Sequence, residues 1–158
     1  VGRGHSPEQA TLFCPDLNVL IAGDQILPRI TPNVSVFAAE PEANPLQAWF
    51  NSLRRYKDLP EDVLVLPSHN EPFHGLHERV DGIIASHEAR LERILDWCTD
   101  PMTSREVSLR LFGDRGLGLQ NLLALGEAMA HLHYLRGKGK VLAEDDATDV
   151  RRFRTVEV

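Results

Sequence analysis

Three short stretches of the chain contain residues that ligate metals: Gly4-His5-Ser6-Pro7-Glu8, Gly23-Asp24-Gln25 and Leu66-Pro67-Ser68-His69-Asn70-Glu71-Pro72. The two imidazoles, His5 and His69, suit zinc, and the carboxylate of Asp24 can bridge a pair of divalent ions about 3.5–4 Å apart. A metal that activates water for hydrolysis needs such ligands on rigid supports, an open coordination position, and neighbouring groups that fix the ligand rings. Each stretch also has a plainer reading. Gly-His-Ser-Pro and Gly-Asp are turn chemistry in which the ligand-type residue is incidental. Pro-Ser-His-Asn-Glu-Pro, placed after an apolar run, is the more specific of the three.

The supports for these residues are legible as apolar runs and turns. Residues 10–14 and 18–22 are rich in Leu, Val, Ile and Phe and are separated by Pro15-Asp16-Leu17, which predicts a hairpin whose second strand delivers Asp24. Pro28 and Pro32 then exclude regular structure to about Ser35. Leu46, Trp49, Phe50 and Leu53 recur at i, i+3, i+4 and i+7 after Pro45, predicting a helix over 45–57 with Arg54, Arg55 and Lys57 against the negative end of its dipole. Residues 63–66 form an apolar run stopped by Pro67, expected to be a strand buried on both faces that delivers His69. With His5 just before the first strand, the three ligand-type residues should project from one sheet edge. A long helical stripe runs from Val80 to Trp97. Thr103-x-x-Glu106 is a capping box for a helix over 104–111, and a further helix is predicted over 119–135. Two strands, 140–143 and 151–156, follow around an acidic turn. Three helices and a hairpin give a winged-helix-like α+β pattern, with a core expected from Val107, Leu111, Leu122, Leu125, Met129, Leu132 and Leu135. The boundary is placed at 99–101, giving domains 1–99 and 100–158.

Other histidines read as structural. His131 and His133 sit two apart on a helix, about 200° around its axis, so they cannot share an ion. His74 and His77 read as packing or pocket lining, and His87 falls on an apolar stripe as a satisfied core residue. Cys14 and Cys98 form no spaced framework and are expected to be buried free thiols.

At 42% hydrophobic and 25% charged, the 158 residues fit a folded cytoplasmic protein. No run approaches the 18 consecutive apolar residues of a membrane span, so no membrane partner is expected. The net charge of −6 lies in residues 1–99, with 8 basic and 14 acidic side chains against 9 and 9 in 100–158. That balance disfavours a nucleic-acid surface. A recognition helix over 119–136 would offer few cations for phosphate, so a winged-helix nucleic-acid module, or a purely structural or dimerisation fragment, is the alternative function.

In order, strand placement and separations of 19 and 45 residues, the His5, Asp24 and His69 motifs together resemble the last three ligand motifs of the metallo-β-lactamase superfamily. The C-terminal segment resembles the winged-helix-like domain of its β-lactamase-like protein 2 type branch. The resemblance implies an α/β fold, the second half of an αββα sandwich. It implies that His5 completes a three-histidine site, that Asp24 bridges two zinc ions, and that His69 completes the second site. It implies a hydrolase in which a metal-bound hydroxide attacks an ester, thioester or phosphodiester, with small-molecule esters or RNA as substrates. The family's first cluster, His-x-His-x-Asp-His, belongs upstream of Gly4. The chain therefore reads as the C-terminal part of a longer enzyme, expected to be inactive alone, to bind metal weakly if at all, and to contain no catalytic residue beyond the ligands. Its apolar strands are expected to be covered by the upstream half or by a homodimer partner.

Overall fold

In a computed structural model that describes residues 1–156, β1 (Leu12–Cys14) and β2 (Val19–Gly23) form the expected hairpin. Leu12 pairs with Ile21, Phe13 with Leu20 and Cys14 with Val19. Asn18 closes the turn at φ 50°, a left-handed conformation that Asn tolerates, with its backbone N–H donating to the Pro15 carbonyl at 3.2 Å. β3 (Leu64–Pro67) lies parallel to β2, giving the order β1-β2-β3. A parallel pair needs a long crossover, and here it is the loop after Asp24 plus α1 (Pro45–Arg55). α1 ends two residues earlier than its sequence suggested, in a 3₁₀ turn over Tyr56–Asp58. Its predicted stripe, Leu46, Trp49, Phe50 and Leu53, is fully buried. Each such side chain stabilises the fold by about 1.5–3 kcal/mol relative to exposure.

The sheet is covered on one face only. Leu20, Ala22 and Val65 are buried, whereas Leu12 and Ile21, paired across β1 and β2, are 64% and 50% exposed. Contrary to the expectation of burial on both faces, Leu64 and Leu66 of β3 are half-buried.

The chain divides into two compact units, Val1–Val34 with Gln47–Ser86, and Ser35–Leu46 with His87–Val158. The division falls inside α2 (Leu76–Trp97), between Ser86 and His87. In the second unit β4 (Met102–Thr103) leads into α3 (Ser104–Phe112), α4 (Leu119–Gly137) and the hairpin of β5 (Val141–Asp145) and β6 (Arg151–Thr155). β4 adds a third strand that two residues of sequence could not announce; its order is β4-β6-β5, with Met102 opposite the buried Phe153. The Thr103–Glu106 capping box forms in full, with Glu106 N–H donating to Thr103 Oγ1 at 3.2 Å and Thr103 N–H to Glu106 Oε2 at 2.8 Å.

α4 is buried around most of its circumference, at Gly126, Ala128, Ala130, His131, Leu132, His133 and Leu135. Val107, Leu132 and Leu135 belong to the core as predicted, but Leu122 is 61% exposed, and Leu111, Leu125 and Met129 are half-buried. At Gly126 the helix has no room for a side chain, because Ser35 and Val36 pack closely against it. Val36 N–H donates to the Gly126 carbonyl at 3.0 Å, and a Cβ on Gly126 would come within 2.8 Å of Ser35 Cβ. Cys98 is a buried free thiol, pushed up to about 11 by that burial, whereas Cys14 is half-buried.

Candidate metal centre

The three ligand-type residues meet at one end of the first unit's sheet. Asp24 follows β2 directly and His69 lies two residues beyond its parallel neighbour β3, the register carried one step further by Ser68 N–H donating to the Gly23 carbonyl at 3.1 Å. His5 sits in the loop before β1. His5 Nε2 lies 3.7 Å from Asp24 Oδ2, and His69 Nε2 lies 3.4 Å from Asp24 Oδ1. The carboxylate thus turns a separate oxygen toward each imidazole. Two donors about 2.1 Å from one ion at a tetrahedral angle stand about 3.4 Å apart. The His69 separation equals that figure, the His5 separation of 3.7 Å is slightly longer, and both exceed an ordinary hydrogen bond of about 2.9 Å.

The His5 ring is held in one orientation. His5 Nδ1 lies 2.8 Å from the Asn33 carbonyl, which can only accept, so Nδ1 bears the proton and Nε2 keeps its lone pair. The Ser68 hydroxyl donates to Asp24 Oδ1. His5 and Asp24 are about one-third exposed, at 28% and 31%, and His69 is 65% exposed, so the centre opens toward solvent on the His69 side. Gly23 makes the turn possible: its φ is +58°, and the Gln9 amide occupies the place of a Cβ at 2.3 Å. Donor types, spacing and ring orientation all fit a divalent ion.

The remaining histidines have other partners. His74 Nδ1 meets the Asp62 carbonyl and His77 Nε2 the Leu59 carbonyl, each at 2.9 Å. His133 Nδ1 donates to the Ala43 carbonyl at 2.8 Å. His131 is buried, with its Nε2 3.0 Å from His87 Nδ1 and its Nδ1 donating to the Glu127 carbonyl at 2.8 Å. His87, His131 and Glu127 bring three donor atoms within 4.8 Å of one another, a further group whose types could hold a metal. Arg90 already pairs with the Glu127 carboxylate at 3.3 Å. Burial, the neighbouring His131 and the Arg90 cation push His87 down to about 2; burial pushes His131 down to about 4.

Residues 1–69 match the family described as Metallo-beta-lactamase superfamily, and residues 91–156 match Metallo-beta-lactamase-like, C-terminal domain. The chain belongs to the metallo-β-lactamase superfamily. Two solved superfamily structures resemble it over 98% of its length. One is a β-lactamase domain protein from Burkholderia ambifaria, with a TM-score of 0.93 and 44% identity. The other is a metallo-β-lactamase family protein from Thermus thermophilus, with a TM-score of 0.84 and 33% identity. The chain covers 46% and 47% of these proteins, about half the length of each. No functionally curated protein matches the sequence. Among the described residues, no helix is long and apolar enough to cross a membrane.

Superfamily members usually bind metal ions. Sequence reasoning missed the groups that orient these donors. Ser68 stands beside His69 in the motif and could have been flagged as a donor, whereas the Asn33 carbonyl carries no sequence signal. The contact of His87 with His131 was also missed, although Glu127 and His131 share a helix face at i and i+4.

Proposed function

We propose that the chain forms part of a metal-dependent hydrolase, with His5, Asp24 and His69 as ligands to divalent ions, zinc by preference. The observation that carries this reading is the Asp24 carboxylate with one oxygen toward His5 and the other toward His69. Bound there, zinc supplies an activated water and offsets negative charge developing on the substrate oxygen. Asp24, His5 and His69 would hold the ions; the Asn33 carbonyl keeps His5 in the tautomer with Nε2 available, and Ser68 steadies Asp24 through its hydroxyl. The substrate class is an ester, thioester or phosphodiester.

The whole enzyme is proposed to include an upstream segment with the His-x-His-x-Asp-His cluster, and to act in the cytoplasm. That segment or a second copy of the chain would cover the sheet face bearing Leu12 and Ile21. The α3, α4 and β5–β6 segment is read as a winged-helix-like packing module. The sole Arg or Lys within α4, Arg136, pairs with Glu42 at 2.6 Å, which leaves the helix poorly equipped to hold phosphates.

The test is metal analysis of the chain joined to its upstream segment, dialysed against zinc, with Asp24→Asn and His69→Ala alongside. Zinc retained by the parent chain and lost by both variants is the expected result; equal zinc in all three refutes the assignment. Turnover of p-nitrophenyl acetate against bis-p-nitrophenyl phosphate, by the chain joined to its upstream segment, then separates the ester and phosphodiester classes.

A further inference from the structure

The side chain of Gln25, next to Asp24, is completely buried. Its Nε2 donates to the Arg3 carbonyl at 3.2 Å, two residues before His5. Its backbone carbonyl accepts from Trp49 Nε1 at 3.2 Å, fixing the residue from below. Gly2 leaves the room it needs, since a Cβ there would lie 2.5 Å from Gln25 Cδ. The loop carrying His5 is closed by paired hydrogen bonds between Gly2 and Gln9, at 2.8 and 2.9 Å, and Arg3 N–H donates to Ser52 Oγ at 2.9 Å. Gln25 is therefore the side chain that ties the turn bearing Asp24 to the loop bearing His5.

This tie is made at a local cost. Gln25 Oε1 is buried with no hydrogen-bond partner among the described residues. Leaving a buried acceptor unsatisfied costs about 1–3 kcal/mol, and an apolar side chain of similar shape avoids that cost. Met at this position would avoid that cost while giving up the bond to the Arg3 carbonyl. A buried group that breaks a local rule points to a functional constraint, and the constraint visible here is the reach of His5 Nε2 to Asp24 Oδ2.

We propose that Gln25 is a positioning residue that sets the separation of His5 from Asp24 and so tunes the metal affinity of the centre. The inference rests on the metal reading above. A purely packing role predicts that removing the amide leaves metal binding alone; a positioning role predicts weaker binding with stability unchanged or raised.

The test is Co²⁺ titration of the full chain, followed by visible absorption, with thermal melts of the metal-free protein. Gln25→Met keeps the bulk and removes the amide. The expected result is about 10- to 100-fold weaker Co²⁺ binding with an altered absorption band, the usual effect of losing a group that orients a ligand, and a melting temperature equal to or above that of the parent. Gly2→Ala, which displaces the Gln25 amide without removing it, should weaken binding in the same direction and serves if Gln25→Met does not fold. Binding by Gln25→Met within about twofold of the parent, well below the effect expected of an orienting group, overturns the inference. So does a loss of affinity that comes with an earlier melt. His69→Ala and Asp24→Asn separate the two claims. If they abolish Co²⁺ binding while Gln25→Met does not weaken it, only the role of Gln25 falls; if they leave binding intact, the metal reading falls and takes this inference with it.

Discussion

Replacing both His87 and His131 with Gln should remove a specific acid-sensitivity from the protein. In the folded chain both imidazoles are held neutral, His87 down to about 2 by burial, His131 and Arg90, and His131 down to about 4 by burial. In the unfolded chain each titrates near 6.5. Between those values the unfolded state binds more protons, so stability rises with pH there. The contribution is fully present above about pH 6.5 and is lost as the pH falls from 6.5 toward the folded values. At pH 5 each imidazole forfeits about 2 kcal/mol and the pair about 4 kcal/mol, a large share of a stability of about 5–15 kcal/mol. Urea denaturation of metal-free protein, followed by tryptophan fluorescence at pH 7.5 and pH 5.0, measures this directly. The parent chain should lose about 4 kcal/mol more than the double variant across that interval. Absolute stabilities will differ for other reasons, but the difference in pH slope isolates the pair. Equal slopes for the two proteins would refute the neutral buried pair.

Three further outcomes follow from backbone and packing. Gly23→Ala, which forces a side chain into a left-handed position already filled by the Gln9 amide, should destabilise the protein by about 1–3 kcal/mol in thermal melts and weaken zinc binding in parallel. Thr103→Ala removes one half of the capping box and should cost about 1 kcal/mol in urea denaturation, with zinc binding unchanged. Gly126→Ala drives a Cβ to 2.9 Å from the Val36 carbonyl oxygen and should cost about 1–3 kcal/mol, seen as faster hydrogen exchange at Val36 N–H.

What the sequence showed and what it hid divide along physical lines. The strand–turn–strand pattern before Asp24 and the stripe Leu46, Trp49, Phe50 and Leu53 were legible because burial of one face imposes a period on the residues themselves. The capping box was legible because it is local. The packing of α4 was not, since a helix surrounded on most sides loses its stripe, and the close approach of Ser35 and Val36 leaves room only for glycine at Gly126. β4 is defined by its pairing with β6, a long-range partner that two residues cannot reveal. At the candidate centre the ligand-type residues were visible as motifs, but the Asn33 carbonyl that fixes the tautomer of His5 has no side-chain signature at all.

The two histidine–carboxylate groups in the chain show why donor type alone does not make a metal centre. At Asp24 each imidazole faces a different carboxylate oxygen at more than the usual hydrogen-bond length, and the far nitrogen of His5 is engaged by a carbonyl. In the second unit the donors meet one another instead. His131 gives its Nδ1 proton to the Glu127 carbonyl, its Nε2 lies at hydrogen-bond distance from His87, and Arg90 takes the Glu127 carboxylate. An ion entering there would have to displace a proton shared by two buried rings and bring two positive charges beside a guanidinium, with one carboxylate to offset them. Donor type therefore counts only together with what each donor already engages.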